Sequence, residues 1–291
     1  MKVTACKTTK SSKPGTAMVL GGGGMRNAST TGFLIGANVK PVDIDAIYCA
    51  SSSIIVAVLF ASGQLQDTIK LWTKYMTSND VMWKVRGVLP RANMFRVAEL
   101  CFNMIDMDAF EASNTKVFAN VMCLDTGETE SIQVTRDNFM RVVQTSPSLP
   151  VVTPKVWWPK SGMYYSDGAM HDNLPVLRAY KAGYRRILVV RNQPKTYVME
   201  QAPLWKRWLS YPNYPKAREA LADRPRMFNE ALDFIASPPD GTEVVMMLPD
   251  ETTPATQMVR DKNAVEAAIE LGIQKGQKQL REVRDLLLRP Y

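Results

Sequence analysis

Histidine and cysteine are scarce in this 291-residue sequence, which has a single histidine, His171, and four cysteines. Four cysteines in a chain of this length do not make the dense disulfide framework of a small secreted domain, and none has the spacing of a metal or redox motif. We therefore expect a protein of the reducing cytoplasm, without a metal or a cofactor. A Ser-His-Asp triad has only one candidate base here.

Long apolar runs are missing as well. The longest good candidate, residues 54–61, is much shorter than the roughly 18 residues of a membrane-spanning helix. The N-terminal segment is basic and polar and lacks the apolar core of a secretory signal, so we predict a flexible tail over residues 1–16. No internal repeat or long linker divides the rest, which predicts one domain over residues 17–291.

The overall charge is positive. A net charge of +8 favours anionic partners, whether nucleic acid, an acidic membrane surface or a phosphorylated small molecule. The sequence has no recognised nucleic-acid-binding module and no dense basic cluster, so nucleic acid is not expected as a partner. Hydrophobic residues make up 46% of the chain, which is enough for a sizeable globular core.

Strand, turn and helix alternate along the first part of the chain. Short apolar strands are predicted at 17–20 and 47–48, followed by helices that begin near residues 28 and 54. This order is typical of an α/β fold with parallel strands. Further strands are predicted at 117–122, 131–134, 164–165, 187–190 and 244–248. Helices are predicted over the methionine-rich segment 65–113 and in the C-terminal region 200–291, including 263–288.

A glycine-rich turn, LGGGGMRN, connects the first strand to its helix. Glycines here permit positive φ and expose backbone N–H groups at a helix N-terminus, which favours a phosphate cradle or an oxyanion hole. No Walker Lys-Ser/Thr follows and both registers of G-x-G-x-x-G fail, although Asp43 and Asp45 have the spacing of a ribose ligand. The candidate residues of this loop are Gly22, Gly23, Gly24, Met25 and Arg26.

The stretch YCASSSII follows the second strand and precedes a helix. A nucleophile elbow places a serine on such a turn and needs small residues two positions before and after it. Ser51 has Cys49 and Ser53 at these positions, whereas Ser52 would have the bulky Ile54 at one of them. Ser51 is therefore the better candidate nucleophile. The alternative is a serine-rich helix cap.

A carboxylate is the second candidate base. In YYSDGAMHDNLP, Asp167 ends a short strand and Gly168 permits a turn, so the carboxylate is presented at a strand end. The alternative is an ordinary Asp-Gly turn. His171 lies in the middle of the chain, unlike the histidine of an α/β-hydrolase triad, which comes last.

The sequence resembles the patatin-like phospholipases of the bacterial type in three segments that come in the same order. These are the glycine-rich turn, the stretch around Ser51 and the stretch around Asp167. Those proteins carry a G-G-G-x-R-G loop, a G-x-S-x-G serine and an aspartate in D-G-G or D-G-A. The similar stretches here are VLGGGGMRNASTTGFL, IDAIYCASSSIIVAVLFASG and SPSLPVVTPKVWWPKSGMYYSDGAMHDNLPV. KAGYRRILVVRNQPKTY and FNEALDFIASPPDGTEVVMMLPD are similar as well, so the resemblance covers nearly all of the chain after residue 16.

The resemblance implies a three-layer α/β/α fold with a mainly parallel central sheet. It also implies a lipid acyl hydrolase that acts on phospholipid or another acyl ester through a dyad of Ser51 and Asp167, without histidine. The loop of Gly22 to Arg26 would hold the oxyanion, and Cys49, Ser53 and Gly168 would support the turns. Arg26 would steady the loop or meet a lipid phosphate, and a structural ion pair is its alternative.

Three glycines of the family pattern are replaced, by Asn27, Cys49 and Ser53. Asparagine tolerates positive φ better than other non-glycine residues, so we expect Asn27 to preserve the loop. The alternative is a non-catalytic relative that binds lipid or acts as a scaffold, which would explain the three replacements together. A nucleotide-binding α/β protein is a further, less supported alternative.

Two surfaces complete the candidate list. The methionines of segment 65–113 are suited to an acyl-chain groove or to an ordinary core. The segment PLWKRWLSYPNYPK, with Trp205, Lys206 and Trp208, has the aromatic and basic composition of a membrane interface or of a solvated loop. We therefore expect peripheral contact with an anionic membrane as one interpretation.

Overall fold

The computed structural model describes residues 15–85, 89–251 and 253–288, so residues 1–14 of the predicted tail lie outside the described residues. The strands are β1 (Thr16–Leu20), β2 (Ala46–Ala50), β3 (Met82–Val85), β4 (Leu89–Ala92), β5 (Lys116–Cys123), β6 (Thr129–Gln133), β7 (Val156–Trp158), β8 (Met163–Asp167), β9 (Arg186–Val190) and β10 (Glu243–Met247). The helices are α1 (Asn27–Gly36), α2 (Ser53–Ala61), α3 (Asp67–Lys70), α4 (Met94–Met104), α5 (Met107–Ala112), α6 (Phe139–Thr145), α7 (Val176–Lys181), α8 (Leu204–Ser210), α9 (Pro215–Ala236) and α10 (Lys262–Leu288).

Within the described ranges, eight strands form one sheet in the order β10-β9-β1-β2-β5-β8-β7, and β6 pairs with β5 outside this path. The pairings from β10 through β5 are parallel, whereas β6, β7 and β8 are paired antiparallel. The predicted α/β fold with a mainly parallel central sheet is therefore confirmed. Every strand predicted from the sequence is present.

Alternate residues of the central strands pack into two separate hydrophobic cores, one on each face of the sheet. Met18 and Leu20 belong to the core that contains residues of α1, α2 and α10. Ala17 and Val19 belong to the core on the opposite face, with residues of α7 and α9. Helices thus cover both faces of the sheet and form three layers. This arrangement explains why every residue of β1 and β2 is buried, as is usual for central parallel strands.

Strand β5 brings the ends of two other strands together. Ala50, the last residue of β2, pairs with Asn120, and Asp167, the last residue of β8, pairs with the next residue, Val121. Strand β6 pairs with β5 across residues 118–122, so it occupies the other edge. β2 and β8 therefore meet end to end along one edge of β5. The residue that follows Ala50 is Ser51.

The segment 65–113 is not helical throughout, so that prediction was wrong in part. It contains α3, a π-helical turn at Leu71–Tyr75, α4 and α5, but β3 and β4 form an antiparallel hairpin between them. Val81, Trp83 and other β-favouring residues lie in this stretch, and Pro90 cannot donate a helical hydrogen bond. The breaks in the helical pattern therefore mark a separate two-stranded sheet.

The predicted tail was also too long at its C-terminal end. Thr16 is already the first residue of β1, is buried, and donates its backbone N–H to Asp45 Oδ2 at 2.7 Å. Among the described residues, none of the helices has the length and apolar character needed to cross a bilayer.

Helices α1 and α10 cross at very short distance because glycines face each other. A Cβ atom on Gly32 would overlap the carbonyl oxygen of Ile269, and a Cβ on Gly272 would overlap that of Ser29. Backbone contact of this kind leaves no room for a side chain. The glycines therefore fix the position of α1, and the loop that precedes α1 is fixed with it.

We expect Gly272→Val to lower the free energy of unfolding by more than about 2 kcal/mol, because the added side chain forces the two helices apart. Urea unfolding followed by circular dichroism measures the change. Glu270→Val, which places the same side chain at an exposed position of α10, is the matched control and should cost much less. Equal losses in the two variants would contradict the close helix crossing.

Candidate active site

Ser51 lies on a strained turn between β2 and α2. Its φ is +60°, a left-handed conformation that serine seldom adopts. Such a backbone costs on the order of 1–3 kcal/mol and persists only where the surroundings impose it. The Ser51 side chain is almost fully buried. The turn has the conformation expected of a nucleophile elbow.

The Ser51 hydroxyl contacts the carboxylate of Asp167. Ser51 Oγ donates a hydrogen bond to Asp167 Oδ2 at 2.6 Å. The other carboxylate oxygen, Oδ1, accepts the backbone N–H of Ala169 at 2.8 Å, and the backbone N–H of Asp167 donates to the carbonyl oxygen of Ser148 at 3.1 Å. The carboxylate is thus held in one orientation, with one oxygen directed at the serine.

Burial changes the acidity of Asp167. Loss of solvation raises the pKa of its carboxyl group to about 7, because the charged form is disfavoured away from water. The hydrogen bonds from Ser51 and Ala169 and the positive charge of Arg224 lower the pKa, but they offset only part of the burial effect. A carboxylate with a pKa near neutrality can both accept and return a proton at physiological pH.

The glycine-rich loop presents two free amides beside this pair. The Gly22 amide donates to the carbonyl oxygen of Asn173 at 3.1 Å, and the Met25 amide donates to that of Gln257 at 3.0 Å. The amides of Gly23 and Gly24 have no acceptor in the part of the chain that the structure describes. Of the loop residues predicted to hold an oxyanion, these two have N–H groups to offer.

Close contacts explain why two of these positions must be glycine. A Cβ atom on Gly22 would lie 3.0 Å from the Cβ of Ser51 and 2.5 Å from Asn173 Oδ1. Gly24 has a φ of +61° and approaches the carbonyl oxygen of Gln257. The loop therefore lies directly against the serine on one side and against residues 173 and 257 on the other.

The two glycines that the elbow lacks are replaced by residues that fit. Ser53 Oγ donates its proton to the carbonyl oxygen of Ala50 at 2.7 Å, lies 3.1 Å from that of Leu20, and accepts the backbone N–H of Ala50 at 3.1 Å. Cys49 is fully buried in the core, where burial raises the pKa of its thiol. Ser53 thus ties together the ends of β1 and β2, and Cys49 fills the core below them.

Asn27 does not adopt the positive φ that we expected. Its φ is −67°, at the start of α1, and the left-handed residue of the loop is Gly24 instead. The Asn27 side chain lies 2.9 Å from Ser52 Oγ and 2.7 Å from the side-chain amide of Asn192. Ser52 Oγ in turn donates to the carbonyl oxygen of Gly24 at 2.8 Å. Asn27 therefore supports the loop through its side chain.

The structure also shows where three other residues that the sequence singled out lie. Gly168 lies so close to the backbone of Asn120 that no side chain would fit. Arg26 is half-buried and forms no ion pair within the described residues. His171 contacts Thr129 Oγ1 at 3.2 Å and Asp223 Oδ2 at 3.4 Å, and forms no hydrogen bond with Ser51. The structure therefore places Asp167, and not the histidine, beside the serine.

An apolar pocket opens at the serine. Its lining includes Ser51, Ser52, Gly24 and five methionines, and its volume is about 30 Å³, far below the usual range of small-molecule sites. The methionines are Met25, Met76, Met82, Met94 and Met258. Three of them come from the segment 65–113, so part of that segment lines the site and the rest belongs to the core.

Sequence reasoning missed three residues that contact the glycine-rich loop and help to fix its position. Asn173 is buried beside Gly22, and Asn192 is buried beside Gly23. Gln257 bonds to Met25 through its backbone, which no sequence pattern can indicate. Asn173 follows the DGAMHD stretch closely enough to be a reasonable candidate. The other two are distant in sequence and join the site only through the fold.

Comparisons with known families match two parts of the chain. A family model described as Patatin-like phospholipase matches residues 18–180, which is more than half of the chain and includes Ser51 and Asp167. A second model, described as a domain of unknown function (DUF6363), matches residues 214–288, which include Gln257.

Two individual proteins are similar to the chain. The neuropathy target esterase sws of Drosophila melanogaster is 27% identical over 183 residues, which cover 60% of this chain but only 12% of that protein. The crystal structure of VipD from Legionella pneumophila aligns with a TM-score of 0.52 over 94% of this chain and 68% of that one. At 13% identity, this second likeness shows the fold alone.

Replacement of the buried carboxyl group should stabilise the fold. The pKa of Asp167 is raised from 3.8 to about 7, so between these values the unfolded chain has lost a proton that the folded chain retains. Stability therefore falls as the pH rises from about 4 to about 7 and is then constant. We expect Asp167→Asn, which can still accept from Ala169 and donate to Ser51, to gain about 2–4 kcal/mol above pH 7.

Urea unfolding at pH 5 and pH 8 tests this expectation. The gain from Asp167→Asn should be clearly larger at pH 8 than at pH 5. Asp125→Asn, at an exposed carboxylate, is the control and should change stability little at either pH. A gain that does not grow with pH would mean that Asp167 is not a carboxyl group with a raised pKa in the folded protein.

Proposed function

The chain belongs to the patatin-like phospholipase family, and from this premise we propose that it is a serine lipid acyl hydrolase with a catalytic dyad of Ser51 and Asp167. The substrate is a phospholipid or another acyl ester. The observation that carries the proposal is the 2.6 Å hydrogen bond from Ser51 Oγ to Asp167 Oδ2 at a left-handed elbow. Similarity to a neuropathy target esterase supports ester hydrolysis.

In the first step Asp167 accepts the proton of Ser51 Oγ while that oxygen attacks the ester carbonyl carbon. Negative charge develops on the carbonyl oxygen. The amides of Gly23 and Gly24 are the loop donors free to stabilise it, because those of Gly22 and Met25 already donate within the protein. The strained serine turn presents Oγ above the end of the sheet.

In the second step the tetrahedral intermediate collapses, and the leaving alkoxide takes the proton from Asp167. The acyl group is then bonded to Ser51. Asp167 next removes a proton from water, which attacks the acyl carbonyl, and Ser51 leaves with that proton. The products are an alcohol and a carboxylic acid, and the dyad returns to its starting state.

A non-catalytic, lipid-binding role is the alternative that the replaced glycines favour. Two observations support catalysis over it. Ser53 satisfies its hydroxyl group against backbone atoms of the elbow, and Cys49 is accommodated in the core without disturbing the contact between Ser51 and Asp167. Nucleotide binding has less support, since the loop amides of Gly22 and Met25 are not free to bind phosphate.

Fluorophosphonate labelling followed by mass spectrometry tests the dyad. We expect an adduct on Ser51 in the wild-type protein and none in Ser51→Ala. Asp167→Asn should lower the labelling rate by at least about a hundredfold, because the general base is lost. The wild-type rate should fall as the pH is lowered through about 7, where Asp167 becomes protonated.

Ser52→Ala is the matched control, since the neighbouring hydroxyl donates to Gly24 and does not contact Asp167. It should retain the adduct on Ser51. An adduct on Ser52 in the wild-type protein would overturn the assignment of the nucleophile. Folded protein that takes no label in the presence of lipid vesicles would favour the non-catalytic alternative.

We also propose that α8 contacts an anionic lipid surface. Its four large apolar side chains are all exposed: Leu204 by 66%, Trp205 by 63%, Trp208 by 55% and Leu209 by 59%. Lys206 lies 5.4 Å from the ring centre of Trp205, and Arg218 lies 3.7 Å from that of Trp208. Exposed tryptophans beside cations are suited to the interface between headgroups and acyl chains.

Co-sedimentation with vesicles tests this surface. Wild-type protein should bind vesicles that contain phosphatidylserine more tightly than vesicles of phosphatidylcholine alone, and added salt should weaken the binding. Replacing both Trp205 and Trp208 by serine should reduce binding by at least about tenfold. Leu271→Ser, at an exposed apolar residue of α10, is the control. Equal binding by the two variants would refute the role of α8.

A further inference from the structure

The 145–149 turn, at the C-terminal end of α6, contacts both members of the proposed dyad. Ser146 Oγ donates a hydrogen bond to the backbone carbonyl oxygen of Ser51 at 3.2 Å. The carbonyl oxygen of Ser148 accepts the backbone N–H of Asp167 at 3.1 Å and the Ser166 hydroxyl at 2.7 Å. One turn is therefore bonded to the backbone of the nucleophile and to that of the base.

Three hydroxyl groups of this turn are buried, and one of them donates its proton outside α6. The three belong to Thr145, Ser146 and Ser148. Thr145 Oγ1 and Ser148 Oγ donate to carbonyl oxygens of α6 four residues earlier, at 2.6 and 2.7 Å. A buried hydroxyl group requires a hydrogen-bond partner, and the helix supplies an acceptor for these two. Ser146 is the exception, since its acceptor is the distant carbonyl oxygen of Ser51.

The carbonyl group that Ser146 holds belongs to the strained residue of the elbow. Ser51 has a φ of +60°, a conformation that persists only where the surroundings impose it. Rotation about its N–Cα bond towards negative φ would carry the carbonyl group away from Ser146. The same rotation would move Oγ away from Asp167, because the carbonyl carbon and Cβ are both attached to Cα.

A second donor to this carbonyl oxygen comes from the same segment as Ser51. It is the backbone N–H of Ile54, at 3.3 Å. A bond within the segment does not anchor Ser51 to another element of the fold. The bond from Ser146 does, since it connects the elbow to the end of α6.

The turn itself is well fixed. Pro147 is buried, and its ring restricts φ. The backbone N–H groups of Ser146 and Ser148 donate to the carbonyl oxygens of Val142 and Thr145, both at 2.9 Å. The Ser146 hydroxyl group is therefore presented by a rigid support, as the precise placement of a nucleophile requires.

We propose that Ser146 is a positioning residue for ester hydrolysis: its hydroxyl group holds the Ser51 carbonyl group and thereby keeps Ser51 Oγ directed at Asp167. This inference rests on the proposed function and adds a third side chain to it. Pro147 and Leu149 line the pocket at the serine, whereas Ser146 does not. Ser146 therefore acts through Ser51 and not through contact with the substrate.

Hydrolysis of 4-nitrophenyl butyrate measures the effect on the reaction. Ser146→Ala should lower kcat by at least about tenfold, because a small displacement of the nucleophile slows its attack. KM should change little, since the residues that line the pocket are the same. The midpoint of the pH dependence should move to higher pH. The hydrogen bond from Ser51 lowers the pKa of Asp167, so a weaker bond leaves the base protonated over a wider range.

Thr145→Val is the matched control. It removes the neighbouring hydroxyl group, which is equally buried but donates to α6 and does not contact the dyad. It should leave kcat, KM and the pH midpoint nearly unchanged, even if it lowers stability. Ser146→Cys keeps a side chain of similar shape with a weak donor, so it should lower kcat as Ser146→Ala does.

Urea unfolding at pH 8 gives a measurement that needs no catalysis. Ser51→Ala removes the hydrogen bond to Asp167 and should lower the urea midpoint of the wild-type protein. The same replacement should have less than about half of this effect in Ser146→Ala protein, where the bond is already weakened, and its full effect in Thr145→Val protein. If no ester is hydrolysed but this coupling is found, the proposed hydrolase is wrong and the role of Ser146 in placing Ser51 stands.

Other outcomes overturn the inference. Equal losses of kcat in Ser146→Ala and Thr145→Val would make Ser146 an ordinary structural residue. An unchanged kcat in Ser146→Ala, or a change in KM alone, would mean that Ser51 keeps its position without this bond. Additive shifts of the urea midpoint would mean the same. If Ser146→Ala does not fold, Ser146→Cys decides, and a wild-type kcat in that variant refutes the role.

Discussion

One edge of strand β5 determines where the proposed chemistry can occur. Two strands share that edge, the parallel β2 and the antiparallel β8, and their ends meet at Asn120 and Val121. The chain must leave the edge at this junction, so Ser51 turns sharply into α2 and Asp167 is left buried beside it. The left-handed turn at Ser51 and its 2.6 Å contact with Asp167 both lie at this junction. A shift of β8 by one residue would turn the carboxylate to the opposite face.

The glycine-rich loop depends on a different part of the chain. Gly22 is held by the backbone of Asn173, and Met25 is held by the backbone of Gln257, which belongs to the C-terminal region matched by a domain of unknown function. The glycine contacts between α1 and α10 add a second connection to the same region. The free amides beside the serine are thus oriented by residues from both matched parts of the chain. An isolated N-terminal part would present the loop without this support.

Local patterns predicted the elbow, the aspartate and the parallel strands, because each depends on a few consecutive residues. The patterns failed where the determining contact is distant. Asn27 was expected at positive φ, but its side chain bonds to Ser52 and Asn192, and these contacts suit a helical backbone. The hairpin of β3 and β4 was hidden in a segment rich in helix-favouring methionine. No pattern could have identified Gln257, whose contribution is a carbonyl oxygen.

The replaced glycines of the elbow show how sequence departures can be compensated by geometry. A glycine is needed there only if strand and helix approach too closely for a side chain. The Ser53 side chain is short enough to fold back towards the carbonyl oxygens of Leu20 and Ala50. Its hydroxyl group therefore fits in the space that a glycine would leave and hydrogen-bonds to the backbone there. Cys49 points into the core, where a small apolar side chain is well accommodated. Both replacements therefore fit beside the left-handed turn at Ser51. The carboxylate of Asp167 keeps its hydrogen bond from Ser51, which offsets part of the rise in pKa that burial causes.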